Sequence, residues 1–207
     1  MLLTGAAGLA AATALPATAR AADVIEPDID GTTAWGARPP SGNITILRNR
    51  PNKIIIHHTV STNTSNFSRA QAHSHARWVQ ALHMDDNGWI DTGYLFVNSR
   101  GGWLTEGRHR SLETLLGGTS FVLGAHTSGQ NYEGIGIANE GAYHDGALPP
   151  QAQWDVLVQL CAFICQQYGI RPTEIYGHKD FGNTLCPGVL HDMLPDLRSE
   201  VSQALGR

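Results

Sequence analysis

The stretch Lys53-Ile54-Ile55-Ile56-His57-His58-Thr59 lies between Pro51-Asn52 and a Ser/Thr/Asn cluster. Three consecutive isoleucines bounded by turn residues read as a short buried strand. The run turns polar abruptly at its C-terminal end, and strand ends are where sheet proteins place chemistry. Successive strand residues face opposite ways, so His57 and His58 cannot both point into one site.

Outward from this strand, strands and helices follow one another. Ser68-Arg69-Ala70-Gln71 has the form of a capping box and opens a helix running to about Met84, broken by Asp85 to Gly88. Gly93 to Asn98 and Trp103 to Gly107, joined by Ser99-Arg100-Gly101-Gly102, spell a β-hairpin. Gly134 to Asn139 is a further short strand. Pro150 opens the clearest helix, in which Trp154, Leu157, Val158, Cys161, Ile164, Cys165 and Tyr168 recur at helical spacing before Gly169 stops it. Glu174 to Gly177 reads as a brief strand and His191 to Leu205 as a last helix. Asp23 to Gly42, polar and rich in Gly and Pro, reads as an arm lying over the domain. This order predicts one α/β domain, a central mixed sheet flanked by helices.

The 207 residues, 42% hydrophobic, suffice for one buried core and demand no second domain. A net charge of −4 argues against nucleic acid or an anionic membrane as partner. The expected state is a monomer. Met1 to Ala22 is almost all Ala, Leu, Gly and Thr, with an apolar run from Leu2 to Leu15 too short to span a bilayer. Small residues around Ala17-Thr18-Ala19 and Ala19-Arg20-Ala21 follow, so residues 1–21 read as a secretory signal and 22–207 as an exported domain, although no basic segment precedes the apolar run. No later segment is apolar enough to cross a membrane. Of the three cysteines, Cys161 and Cys165 sit one helical turn apart, awkward for a disulfide, and read as small buried apolar residues. Cys186, in Thr184-Leu185-Cys186-Pro187-Gly188, requires a different explanation.

A catalytic zinc site takes three protein ligands and keeps one position open, and His nitrogen with Cys thiolate is an ordinary mixture. His57 closes a strand, and His178 and Cys186 bracket a loop of seven residues with Gly177, Gly182 and Gly188 in or beside it. That spacing alone is weak evidence. A Cys186 nucleophile served by His178 is a formal alternative, though a second histidine in an exported protein favours metal.

The context is more specific. Trp35-Gly36-Ala37, Ile54-Ile55-Ile56-His57-His58-Thr59, Gly88-Trp89-Ile90-Asp91-Thr92-Gly93-Tyr94-Leu95-Phe96, Gly124-Ala125-His126, Gly134-Ile135-Gly136-Ile137 and Gly177-His178-Lys179-Asp180 through Cys186-Pro187-Gly188 occur in this order. Together they resemble the peptidoglycan recognition protein family, which shares its fold with type 2 N-acetylmuramoyl-L-alanine amidases and phage amidase lysozymes. The resemblance runs from about Trp35 to Leu190. It implies a surface groove holding one Zn2+ on His57, His178 and Cys186, with Tyr94 and Thr184 as catalytic residues and peptidoglycan fragments as substrate. Relatives that only recognise peptidoglycan typically lack the Cys ligand, which is present here. The complete ligand set with Tyr94 thus favours an amidase over a binding-only module. A zinc hydrolase of another amide stays open, because loops such as Arg108 to Val122 and His144 to Gln151 set substrate choice.

The remaining groove candidates are His58, Trp89, His126 and Glu140. His58 reads chiefly as structural, Trp89 as a packing anchor at a groove edge, and His126 as either a substrate contact or support for the zinc ligands. Glu140 lies two residues beyond Ala138, where cytoplasmic muropeptide amidases carry a catalytic Glu, and reads mainly as a hydrogen-bonding residue. His83 reads as packing, and His73 and His75 as solvent-facing. Leu95 stands where relatives often have a polar residue, implying a lost substrate contact.

Overall fold

The computed structural model describes residues 24–207; the signal assigned to residues 1–21 lies outside them. The strands are β1 (Ile29–Asp30), β2 (Ile46–Leu47), β3 (Lys53–His58), β4 (Phe96–Asn98), β5 (Leu104–Glu106), β6 (Phe121–Val122), β7 (Gly134–Asn139) and β8 (Ile175–Gly177). The helices are α1 (Thr32–Trp35), α2 (Arg69–Ala81), α3 (Ser111–Gly117), α4 (Gln151–Tyr168), α5 (Val189–Asp192) and α6 (Leu194–Ala204). Six strands form one mixed sheet in the order β1-β5-β4-β7-β3-β8, while β2 and β6 pair separately.

The isoleucine run is the inner strand β3, parallel to β7 on one side and β8 on the other. Ile54, Ile55 and Ile56 are each 0% exposed, and each such side chain contributes about 1.5–3 kcal/mol. A one-residue slip would send all of them to the wrong face, so the register is strongly specified. Ile54 pairs with Ile135 and Ile56 with Ile137, and these four join α4 and α6 in the main core through Leu157, Cys161, Leu197 and Val201. The opposite face of β7 carries only Gly134, Gly136 and Ala138, beside Lys53, Ile55 and His57. Those small residues leave a depression on that face, and the site occupies it.

The hairpin, the helix from Gln151 to Tyr168 and the buried, unpaired Cys161 and Cys165 follow the sequence expectations. Other elements differ. The N-terminal arm joins the sheet: β1 runs parallel to β5, and Trp35, 1% exposed, donates its indole N–H to the Glu106 carbonyl at 2.8 Å. The capping box is half made. Ser68 Oγ accepts from the Gln71 amide at 3.2 Å, but the Gln71 side chain donates to Glu140 instead of returning to the cap. Helix α2 then continues as a π-helical turn over Leu82–Asp86. The expected last helix is divided at Met193 into α5 and α6. Strands β2 and β6 went unforeseen because two residues each offer no periodicity to read.

Candidate metal centre

Three elements deliver the central side chains. His57 ends β3, and its carbonyl accepts from Asn139 Nδ2 at 3.0 Å. His178 follows β8, the neighbour of β3 on the other side. Cys186 returns on a loop closed by the Lys179 amide donating to the Cys186 carbonyl at 2.8 Å. Asp180 stiffens that loop, accepting from the Gly177 amide at 2.9 Å and contacting His191 Nε2 at 2.7 Å. At Gly188 a Cβ would come within 2.1 Å of the Tyr143 carbonyl oxygen, so only glycine lets the loop leave the site by this route. The nearest ligand atoms of His57, His178 and Cys186 lie within 4.8 Å of one another. Cys186 Sγ is 3.7 Å from His57 Nδ1; tetrahedral zinc with ordinary Zn–N and Zn–S bonds sets that edge at about 3.5 Å. The donor set and its spacing fit a zinc ion.

Burial governs the protonation of these groups. Desolvation, with smaller contributions from His126, His178 and His58, holds His57 well below the ordinary histidine range, which keeps the imidazole neutral as a ligand must be. Burial likewise lowers His178 and pushes the Cys186 thiol up to about 12. A divalent cation there would supply the charge a buried thiolate lacks. The Tyr94 ring lies 5.1 Å from that of His57, and burial, aided by Cys186, raises its hydroxyl above the usual range. It stays a proton donor. Thr184 Oγ1 accepts from the Cys186 amide at 3.1 Å, leaving the hydroxyl hydrogen free. His126 reaches His57 from beneath, Nδ1 to Nε2 at 3.2 Å. The Trp89 ring lies 4.7 Å from that of His83, tilted by 37°, and His83 Nδ1 accepts from the Gly93 amide at 2.9 Å.

Comparison with known proteins places this arrangement. Residues 47–189 match the family described as N-acetylmuramoyl-L-alanine amidase. The chain belongs to that family. It is 34% identical over 173 residues to the human N-acetylmuramoyl-L-alanine amidase, covering 81% of this chain and 28% of that longer protein. It is 30% identical to peptidoglycan-recognition protein SC2 of Drosophila melanogaster, covering 74% of this chain and 77% of the relative. Among solved structures, a mutant of Drosophila peptidoglycan recognition protein LB in complex with tracheal cytotoxin superposes with a TM-score of 0.66 at 27% identity, over 77% of this chain and 88% of that one.

Within this amidase-family chain, the candidates His57, His178, Cys186, Tyr94, Thr184 and His126 come together, with Trp89 one residue layer away through His83. Two do not join them. His58 projects from the other face, where its Nδ1 accepts from the Tyr143 amide at 3.1 Å and its ring stacks on Tyr143. At 3% exposure it pins the loop after β7 and offers nothing to a groove. Glu140 is 1% exposed, and its oxygens accept from Gln71 Nε2 and the Arg100 amide, both at 2.9 Å. It ties α2 to the β4–β5 hairpin. His73 and His75 are not solvent-facing: His73 contacts Asp30 at 2.7 Å, and His75, 5% exposed, lies beside Glu140. The buried side of α2 is set by Ala72, Ala76, Val79 and Gln80, and His75 falls on it. Leu95, 1% exposed, packs in the core, so no groove contact is lost there. Sequence reading missed Thr127 and Asn131; Asn131 Oδ1 accepts from the amides of His126 at 2.8 Å and Thr127 at 3.1 Å. A local Asn five residues after a histidine is too common to have signalled this. A surface cavity of about 720 Å³ is lined by Lys53, Arg171, Tyr176 and Phe181 and contains none of these residues.

Proposed function

We propose that the chain is a hydrolase in its own right, holding one Zn2+ on His57, His178 and Cys186 and cleaving the amide between the lactyl group of N-acetylmuramic acid and the L-Ala of the stem peptide. The observation that carries this reading is the complete ligand set, converging within 4.8 Å beneath a half-buried tyrosine. Zinc bound there supplies Lewis acidity, drawing the pKa of water toward about 7 and polarising a carbonyl. The chain's own groups do the rest. Tyr94, kept protonated by burial, donates to the oxyanion that develops as the amide carbon becomes tetrahedral. Thr184, its oxygen occupied by the Cys186 amide, turns its hydroxyl hydrogen toward the same region. Trp89, packed against His83, walls the groove where the stem peptide lies. A muropeptide substrate is supported by the ligand of the superposed Drosophila structure, tracheal cytotoxin, a monomeric diaminopimelic acid-type peptidoglycan. The Ala-rich leader and small residues near residue 20 support work outside the cytoplasm, at the cell wall.

The test is digestion of purified muropeptides, with products identified by mass spectrometry in the presence and absence of a chelator. The expected products are a stem peptide with a free L-Ala amino terminus and its lactyl-bearing saccharide, both abolished by chelation. Binding without cleavage would favour a recognition module, and cleavage elsewhere a different amide substrate.

A further inference from the structure

The three hydrogen-bonded contacts beneath the metal centre constrain one another. His126 Nε2 lies 3.1 Å from the Gly134 carbonyl oxygen, which can only accept, so Nε2 carries a proton. The ring is 7% exposed, and its hydrogen-bond partners are Gly134, Thr127 and His57, none of them a carboxylate. A second proton would therefore place an uncompensated charge in the interior. The neutral ring leaves Nδ1 bare. Thr127 Oγ1 lies 3.1 Å from that lone pair and 3.3 Å from His57 Nε2, so its single hydrogen can serve only one of the two nitrogens, which stand 3.2 Å apart; a proton on His57 Nε2 is the arrangement that leaves no two bare nitrogens facing each other. His57 Nδ1 is then the bare nitrogen, and it is the atom 3.7 Å from Cys186 Sγ.

We propose that His126 is a positioning residue, which selects the His57 tautomer with Nδ1 free for the metal and fixes the ring's orientation. This rests on the zinc reading above. The placement of His126 is itself built in. Its ring packs against β7, where a Cβ on Gly136 would come within 2.4 Å of it, and one on Gly124 within 2.7 Å. The rings of His126 and His57 stand nearly perpendicular, at 83° with 5.2 Å between centroids. The glycines of β7 and of the loop before His126 thus make the space that lets one histidine orient another. Groups that orient a metal-bound histidine through its second nitrogen are typically worth about 10–100-fold in metal affinity.

The experiment begins on metal-free protein, where long-range 1H–15N correlation of the His57 ring reports its tautomer. The expected result is a protonated Nε2 and a bare Nδ1. Zinc affinity is then measured by competition with a chromophoric chelator, and ligand geometry from the visible spectrum of the Co2+ form. His126→Ala is expected to lose about 10–100-fold in zinc affinity, with a mixed His57 tautomer and an altered Co2+ spectrum. His126→Asn, which keeps an acceptor where Nδ1 stood, brings both nearer to wild type. Gly136→Ala keeps the histidine but displaces it, and reproduces the alanine variant's defect if the ring's position is what matters. A His57 protonated on Nδ1 in the metal-free wild type, or wild-type zinc affinity in folded His126→Ala, overturns the proposal. A wild type that takes up no zinc while His57 stays protonated on Nε2 overturns the zinc reading instead and leaves the tautomer assignment standing.

Discussion

His57 and His58 are adjacent on β3 and both buried, yet His57 presents Nδ1 to Cys186 Sγ at 3.7 Å whereas His58 presents Nδ1 to the Tyr143 amide at 3.1 Å. The difference comes from their surroundings, since the residues are the same. On the His57 face the next strand contributes Gly134, Gly136 and Ala138, leaving space for His126, His178 and Tyr94 to gather. On the His58 face Ile135 and Ile137 stand within an apolar core sealed by α4 and α6. A strand with two unlike faces therefore splits one His-His pair into a residue of the candidate metal site and a bracket for the following loop. Chemistry is confined to the face where the neighbouring strand gives up its side chains.

The largest effect should come from the metal-facing side. Cys186→Ser replaces a thiolate by a hydroxyl that stays protonated at neutral pH and is a far poorer zinc ligand. Zinc content should fall from about one equivalent to background and hydrolysis with it, while sedimentation with insoluble peptidoglycan persists, because Trp89 and the Gly124-Ala125-His126 loop are untouched. Near-normal hydrolysis by this variant would remove Cys186 from the ligand set and dissolve the contrast between the two faces.

Tyr94→Phe sharpens the contrast within the metal-facing side, separating holding the ion from using it. Its ring contacts with His57 and His83, 5.1 and 5.2 Å between centroids, survive the substitution, so zinc content and Tm should hold. Losing one donor to a developing oxyanion typically costs about 10²–10³-fold in turnover, and the loss should fall on kcat more than on KM. Full activity with full zinc would make Tyr94 a packing residue.

The smallest catalytic effect should come from the other face. His58→Ala strands the buried Tyr143 amide, a cost of about 1–3 kcal/mol, and for a chain of this size each kcal/mol lowers Tm by about 2–4 °C. Zinc content and kcat should stay near wild type below the new melting range. Loss of zinc from folded His58→Ala would mean that the two faces are coupled, most directly through the Cys186 thiol, which lies 3.4 Å from the His58 backbone nitrogen.

Much of this was legible along the chain because it depends on short periods. The isoleucine run before His57 reads as a buried strand, the spacing from Trp154 to Tyr168 as a helix with a buried stripe, and Gly134 to Asn139 as a short strand; that one face of that strand is bare became plain only from its register with β3. The His57, His178 and Cys186 set was legible from motifs in order, a pattern richer than any one spacing. What the sequence alone left open was decided by long-range placement. His57 and His126 are 69 residues apart, and His57 and Cys186 are 129 apart. Which ring nitrogen of His57 faces Cys186, whether His75 lies outside or beside Glu140, and whether Glu140 reaches the groove or braces a hairpin all depend on the register of β3 with β7 and the path of the intervening loops. Local residue pattern carries helical and strand periodicity because those repeat every few residues. It carries no record of which side chain meets which across the fold, since that is settled only when burial of the shared core fixes the strands against one another.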